Sequence, residues 1–286
     1  MFRTRLLSGI VLVVIAAGTI IAGGFLLAAV LCAISLIAYR ELTKATGIHD
    51  GEKAVNALEV TGFLMILLYY AGLYAGLLRM EEYDRSVVYR VFMSISVIAV
   101  LAFMFVYVFS FPRFQAGQVM AAFFALIYGP MLLSFLYIIR EGWEQGAYLT
   151  ALVFLCSWGS DTCAYVVGVL FGKHKMTPKL SPKKSIEGGV GGVVGAALLF
   201  GLYTYYVINP FSAESLRMGL GSAMCLGAVG ALVSMVGDLA ASAIKRDHNI
   251  KDYGKLIPGH GGIMDRFDSV IIAAPFIFFG LAMITG

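Results

Sequence analysis

The side chains best suited to chemistry lie near the C-terminal end of the chain, in residues 237–268. This segment holds acids, bases, a histidine and a glycine cluster, and apolar sequence flanks it on both sides. Asp238, Ser242 and Lys245 share one face if a helix continues through Arg246, because they are spaced four and three residues apart. An acid, a hydroxyl and a base in line predict a surface for a metal ion and phosphate, and Arg246 flanks that surface.

A second group of acids follows the glycine cluster. Residues 258–262 read PGHGG, and the glycines among them lack side chains, which lets backbone amides approach a ligand. Asp265 and Asp268 come next, three residues apart, with Arg266 between them. Mg²⁺ prefers one or two carboxylates with phosphates and waters, whereas an EF-hand or a zinc site needs other spacings and ligands. We therefore predict that Asp238, Asp265 and Asp268 bind metal and that Arg266 binds phosphate.

One further acid, Asp161, lies inside an apolar stretch. Counting back from Gly172 at about 1.5 Å per residue puts it about 16 Å along a helix, near the middle of a bilayer. An acid there faces a polar cavity, or it is protonated or paired for structure alone. Ser157, Asp161 and Tyr165 share one face by their spacing. Asp161 and Tyr165 are therefore predicted to line the substrate cavity, with Asp161 as a further metal ligand or as a group that orients a partner.

The segment 172–188 carries five lysines together with hydroxyl and turn-forming residues. An ordinary cytoplasmic loop explains the lysines by themselves. Hydroxyls, flexible backbone and ammonium groups together suit phosphate oxygens. Lys183, Lys184 and Ser185 are the predicted phosphate-binding residues here.

The elements that must position these residues are membrane helices. The chain is 60% hydrophobic and 13% charged, with a mean hydropathy of +0.87, which excludes an ordinary soluble domain. The basic, apolar N-terminus resembles a signal peptide, but its apolar run continues, so we predict retained helices. The prediction is an all-α polytopic membrane protein of about nine transmembrane helices, at 6–22, 24–39, 60–78, 90–111, 118–138, 147–171, 189–208, 218–238 and 269–285.

The positions of Lys and Arg set the expected orientation. With the N-terminus in the cytoplasm, 16 of the 21 Lys and Arg residues lie on the cytoplasmic side. The loops 172–188 and 239–268 then face the cytoplasm, and so does the active site of the C-terminal half. We predict a scaffold of about five helices in 1–146 and a catalytic region of about four helices in 147–286.

A glycine pattern opens the helix predicted at 189–208. Gly188 with Gly192, and Gly191 with Gly195, have the small-xxx-small spacing of closely packed membrane helices. No strand precedes these glycines, so neither a P-loop nor a Rossmann fingerprint is supported. The pattern predicts close helix packing, within the chain or across a dimer.

The polar residues of the C-terminal half resemble the signature of CDP-diacylglycerol synthases, the phosphatidate cytidylyltransferases. The N-terminal half agrees with that family only in being polytopic. The matching runs are Asp161-x-x-Ala164-Tyr165-x-x-Gly168-x-x-Phe171-Gly172, Leu180-Ser-Pro-x-Lys-Ser-x-Glu-Gly188, Ser242-x-x-Lys245-Arg246, Lys251-Asp252 and Pro258-Gly-His260-Gly261-Gly262-x-x-Asp265-Arg266-x-Asp268.

The resemblance implies transfer of a cytidylyl group from CTP to phosphatidic acid, giving CDP-diacylglycerol and pyrophosphate for phospholipid biosynthesis. It also implies dependence on Mg²⁺, with a monovalent cation such as K⁺ as an open addition. The expected setting is a homodimer in the bacterial inner membrane, with no nucleic-acid partner. The residues assigned to catalysis are Asp238, Lys245, Asp265, Asp268 and His260.

Three alternatives stay open at this point. His260 either donates to the leaving pyrophosphate or makes a purely structural hydrogen bond. The enzyme could instead be a CTP-dependent lipid kinase that passes on the γ-phosphate. Less favoured is an ion-coupled transporter that uses Asp161, since the acids crowd one membrane face and no inverted repeat is evident.

Overall fold

A computed structural model describes residues 2–48, 55–78, 85–212, 217–257 and 261–284, with backbone alone for 2–8 and 85. Of the residues in these ranges, 81% are helical, which confirms the prediction of an all-α membrane protein. The helices of the described ranges are α1 Phe2–Ala22, α2 Gly24–Ala45, α3 Ala57–Leu78, α4 Arg85–Phe109, α5 Ala116–Glu141, α6 Gly146–Phe171, α7 Ile186–Phe211, α8 Leu220–Asp247 and α9 Met264–Ile284.

Eight of these helices, α2 to α9, are long and apolar enough to cross a bilayer. The apolar part described for α1, Gly9–Ala22, is shorter, so a span there stays a prediction. Two boundaries bear on the chemistry. Helix α8 continues to Asp247, which confirms the extension that the face of polar residues required. Helix α9 begins at Met264 rather than at residue 269, so its first two turns carry the predicted acids.

Three of the long helices contain a π-helical turn, at Ile127–Met131 in α5, Leu155–Gly159 in α6 and Thr204–Ile208 in α7. The first encloses Pro130, which has no N–H to donate and which clashes with a regular helical ladder. A π-turn adds one residue to a turn and therefore changes which side chains share a face after it.

The helices divide into two compact units. The first unit comprises Met1–Gly142 and His248–Arg266, and the second comprises Trp143–Asp247 and Phe267–Gly286. The N-terminal part of the first unit ends at Gly142, close to residue 146, where the scaffold was predicted to end. The segment His248–Arg266, however, groups with the N-terminal helices by its contacts. The functional division into scaffold and catalytic regions stays a prediction.

In the first unit, α2 packs against α3, and α3 packs against α4. Gly62 of α3 lies so close to the ring of Tyr39 that a β-carbon there would meet it at 2.1 Å. Buried hydroxyl pairs add directional contacts, including Tyr69 Oη to Ser134 Oγ at 2.8 Å. A hydrogen bond is valuable here because lipid offers no alternative partner.

In the second unit, α7 packs against the C-terminal half of α6 through its glycines. A β-carbon on Gly188 would lie 2.7 Å from the carbonyl oxygen of Ala164, and one on Gly195 would lie 2.5 Å from Cys163 Sγ. Only glycine permits this approach. The small-xxx-small pattern therefore reports packing within the chain, as one of its two readings predicted.

Gly191→Ala is expected to destabilise the protein by about 1–3 kcal/mol, the usual cost of overpacking a tight contact. Its new methyl would lie 2.5 Å from Cβ of Val167. Thermal unfolding of the purified protein in detergent measures the effect. Gly221→Ala in α8 is the matched control, since nothing lies within 4 Å of its added carbon. Equal melting temperatures for the two variants would contradict the packing argument.

The segment between α6 and α7 forms a two-stranded antiparallel hairpin, which the sequence analysis treated as a loop. Strand β1 is Lys175–Thr177 and strand β2 is Ser181–Ser185, with Lys175 opposite Ser185. Lysine and proline are poor strand formers, so local propensity gives no signal for it. The hairpin holds the lysine-rich segment in a defined conformation.

Candidate functional site

A cavity of about 500 Å³ that several charged side chains line lies within the second unit. Helix α6, the hairpin, the start of α7 and the middle of α8 form its walls. The predicted substrate-binding residues that line it are Asp161, Tyr165, Lys183, Lys184 and Ser185, and the predicted metal ligand is Asp238. Predicted residues from three separate segments of the sequence therefore meet in one cavity.

Lys184 and Asp238 form an ion pair across this cavity, with Nζ bound directly to Oδ2. Both side chains are part-buried, so the pair is less screened than one at a water-exposed surface. The pair places an ammonium group and a carboxylate at the same point of the cavity wall. Such a point can neutralise a phosphate oxygen and can accept a cation.

Asp268 of α9 is a buried acid of the second unit, with 8% of its surface exposed. Its Oδ1 accepts a hydrogen bond from the backbone N–H of Ser269 at 2.9 Å. The charges that act on it are those of Asp238, Lys245 and Asp161. Lys245 is itself buried at 8% exposure, so it supplies positive charge to an otherwise acidic cluster.

The approach of α8 to α9 depends on Gly237, the residue directly before Asp238. A β-carbon there would lie 2.9 Å from the carbonyl oxygen of Asp268 and 3.0 Å from the side chain of Ile272. Because the helices cross this closely, an acid at position 238 and an acid at position 268 act on each other. The glycine is therefore part of what builds the cluster.

The arrangement of these acids limits the way in which they could hold a metal ion. Within the ranges that the structure describes, no three Asp, Glu, His or Cys side chains gather closely enough to hold a metal ion by themselves. A cage supplied wholly by the protein therefore does not fit. Mg²⁺ takes only one or two carboxylates and completes its shell with phosphates and water. Asp238 and the buried Asp268, which repel each other, have the chemistry that such an ion needs.

Asp265 has a structural task in the first unit. Its Oδ2 accepts hydrogen bonds from the backbone N–H groups of Tyr253, at 2.8 Å, and Gly262, at 3.0 Å. A carboxylate offers about four lone-pair positions, so two accepted bonds do not use its full capacity. The carboxylate holds the segment before α9 against the first turn of that helix, and metal binding by Asp265 stays a prediction.

Glu41 is a functional candidate that the sequence analysis missed. Its Oε1 and Oε2 accept the backbone N–H groups of Ile263 at 3.1 Å and Met264 at 2.8 Å. It therefore satisfies donors at the start of α9, where a negative charge is favoured. Gly254 and Gly262 lie against the same carboxylate, where an added β-carbon would come within 2.2 Å and 2.4 Å of Oε1.

Ser185 and Glu187 fix the entry into α7. The hydroxyl oxygen of Ser185 accepts the N–H of Gly188 at 3.1 Å and caps the helix. Glu187 accepts the N–H groups of Lys173 and His174, and its Oε1 lies 2.6 Å from His174 Nδ1. Both residues hold the hairpin in place, so Ser185 serves the cavity through position as well as through its hydroxyl group.

The remaining predicted residues lie as follows. Ser242 is buried on α8, while the side chain of Arg246 is exposed and donates from Nε to the carbonyl of Leu180 at 3.4 Å. Arg266 is partly exposed on the first turn of α9. His260 lies outside the described residues.

The predicted face of α6 is wrong in one position. Ser157 lies in the π-turn of that helix, is fully buried and donates to the carbonyl of Val153 at 2.8 Å. Asp161 is exposed to the cavity side and follows the turn. The additional residue in the turn removes the simple four-residue relation between the two side chains.

Known proteins resemble this chain over half to nearly all of its length. The cytidylyltransferase family matches residues 3–284. The phosphatidate cytidylyltransferase of Synechocystis sp. is 37% identical over 50% of this chain and 46% of its own length. That of Thermotoga maritima is 35% identical over 60% and 63%. That of Staphylococcus aureus is 29% identical over 96% and 97%.

The first of these alignments spans about half the length of the relative that it matches. The family match, in contrast, covers nearly all of the chain, including both units and the cavity. The chain therefore belongs to the cytidylyltransferase family.

Proposed function

We propose that this membrane protein transfers the cytidylyl group of CTP to phosphatidic acid, giving CDP-diacylglycerol and pyrophosphate in phospholipid biosynthesis. The observation that carries the proposal is the cavity in which Lys184 pairs with Asp238. The described residues form eight helices long and apolar enough to cross a membrane, and a membrane protein of this family can reach a substrate that stays in the bilayer. The three relatives described above are named phosphatidate cytidylyltransferases, which agrees with this activity.

The reaction needs no covalent bond to the protein. A phosphate oxygen of phosphatidic acid attacks the α-phosphorus of CTP, a new P–O bond forms, and the bond to the β-phosphate breaks. Pyrophosphate leaves with the electron pair. The protein's contribution is positioning and neutralisation of charge. Lys183, Lys184 and Lys245 supply positive charge for phosphate oxygens, and Ser242, Arg246 and Arg266 are further phosphate-binding residues.

Asp238 and Asp268 would hold Mg²⁺, with Asp161 as a third acid nearby. The bound ion would supply neutralisation of the charge on the phosphates. The Lys184 ammonium group holds Asp238 in place and is itself positioned to contact a phosphate. Asp265 is kept as a predicted ligand from the sequence, and K⁺ as an accompanying ion stays open. Tyr165 would border the substrate, and His260 would donate to the leaving pyrophosphate.

The setting is part of the same proposal. The excess of Lys and Arg in the loops 172–188 and 239–268 supports a cytoplasmic active site in a bacterial inner membrane. A homodimer follows from the resemblance to the family. Chemical crosslinking in native membranes measures the oligomeric state, and a protease added to oriented vesicles tests which side the two loops face.

The expected result of the direct test is a cytidine-bearing lipid. Purified protein is incubated with phosphatidic acid, Mg²⁺ and CTP labelled at the α- or the γ-phosphate. Cytidylyl transfer puts the α-label into lipid and the γ-label into pyrophosphate. A lipid kinase needs a lipid alcohol as acceptor, so it would put the γ-label into lipid when diacylglycerol is supplied, and that outcome would overturn the proposal. Diacylglycerol in place of phosphatidic acid is the control, because it lacks the attacking phosphate.

A further inference from the structure

A second cavity, of about 910 Å³, lies within the first unit. Helix α2 forms one wall, and the segment 250–256 forms the other. Its volume falls in the range of about 300–1,000 Å³ that is typical of small-molecule sites. We call it the Arg40 cavity, after the guanidinium group on its helical wall.

The Arg40 cavity is lined by four basic side chains. Arg40 and Lys44 lie four residues apart on one face of α2, and Lys251 and Lys255 lie opposite them. All four are exposed. None forms an ion pair or side-chain hydrogen bond with any residue that the structure describes. Four like charges repel one another, so an arrangement without local partners favours an anionic ligand.

The acids of the cavity do not neutralise these cations. Glu41 faces the same space, but both of its oxygens accept backbone N–H groups at the start of α9. Asp252 is an exposed carboxylate in the same wall. Four cations against two carboxylates leave the cavity with a positive balance of charge.

The wall formed by 250–256 is held in a fixed position before any ligand arrives. Gly254 lies against the Glu41 carboxylate with no room for a β-carbon. The N–H of Tyr253 donates to Asp265 at 2.8 Å. Two buried carboxylates therefore anchor the middle of the segment, while Lys251 and Lys255 on either side of it extend into the cavity. A preformed site loses less entropy when it binds its ligand.

We propose that the Arg40 cavity binds phosphate groups, with Arg40 as a fork of donors and the three lysines as point charges. Two substrates of the proposed reaction carry this chemistry, the triphosphate of CTP and the headgroup of phosphatidic acid. The inference rests on the proposed function only for the names of these two ligands. Inorganic tripolyphosphate tests the phosphate site without them.

The test uses the full-length protein in lipid nanodiscs and two variants, Arg40→Gln/Lys44→Gln and Lys251→Gln/Lys255→Gln. Each removes two charges from one wall, so the second variant tests the proposal if the first does not fold. Binding of tripolyphosphate is expected to weaken about tenfold or more in each, the size of one lost charge-assisted hydrogen bond. Arg113→Gln is the control, since Arg113 is an exposed cation of the same unit outside the cavity.

Steady-state kinetics then identify the source of the phosphate. A raised KM for CTP with an unchanged KM for phosphatidic acid assigns the cavity to the nucleotide. The reverse pattern assigns it to the lipid headgroup, and both results support a phosphate site. Unchanged tripolyphosphate binding in both variants, or an equal loss in Arg113→Gln, overturns it. Wild-type protein that forms no cytidine-bearing lipid would instead refute the proposed function and leave the tripolyphosphate result standing.

Discussion

Asp238→Asn is expected to lower kcat for cytidylyl transfer by about a hundredfold to a thousandfold, the usual effect of losing one preorganised electrostatic group. The change removes the negative charge that pairs with Lys184 and one of the two proposed Mg²⁺ ligands. Formation of labelled CDP-diacylglycerol by purified protein measures it. Asp247→Asn is the matched control, because Asp247 is an exposed acid at the end of the same helix.

A double variant separates the catalytic role of Asp238 from its structural one. Asp238→Asn leaves a part-buried ammonium group without its carboxylate partner, so the melting temperature should fall. Lys184→Met added to it removes that charge and should restore stability. Turnover should not return, since neither charge is then present. Wild-type turnover in Asp238→Asn, or recovery of turnover in the double variant, would remove Asp238 from the catalytic residues.

Asp265→Ala is expected to abolish turnover and to loosen the segment before α9. The carboxylate accepts two backbone N–H groups from that segment, and alanine leaves both without this partner. Limited proteolysis should then cleave between residues 250 and 257 faster than in the wild type. Turnover and cleavage are measured on the same preparation.

Asp265→Asn distinguishes the two tasks of this residue. The amide keeps an oxygen that can accept the same N–H groups, so the segment should stay as resistant to protease as in the wild type. It lacks the negative charge that a metal ligand needs, and turnover should still fall by at least about a hundredfold. Asp247→Asn is the control, as an exposed acid outside both cavities. Near-normal turnover in Asp265→Asn would leave Asp265 with the structural task alone.

The helices were predictable because a bilayer imposes a strong and simple rule on sequence. About 20 apolar residues must follow one another, and backbone groups must pair within the segment. The eight long apolar helices of the described residues follow this rule. The glycine-lined contact of α6 with α7 was predictable from the small-xxx-small spacing of its glycines. The contribution of α8 to the site also followed from local spacing, because Asp238 and Lys245 belong to one continuous helix.

Contacts between distant parts of the chain could not be predicted in this way. Glu41 binds backbone donors 222 and 223 residues away, and no local pattern reports such a pair. The predicted span 24–39 also ended before it, whereas α2 continues to Ala45. Had the span been extended to Ala45, Glu41 would have stood out as an acid within an apolar helix, which marks a functional candidate. The hairpin was missed for a different reason, since its lysines and prolines are poor strand formers and give no local signal for a strand.

The π-turn at Leu155–Gly159 divides α6 into two halves, and the side-chain directions of the second half are rotated relative to those of the first. Each residue of a regular helix advances the side chains by about 100°, so one surplus residue turns everything after it by that angle. The direction of Asp161 and Tyr165 is set by counting from this turn, not from the start of the helix. Insertions or deletions on either side of it therefore have unequal consequences. Before the turn they change the direction of packing side chains, and after it they change the direction of the side chains that line the cavity.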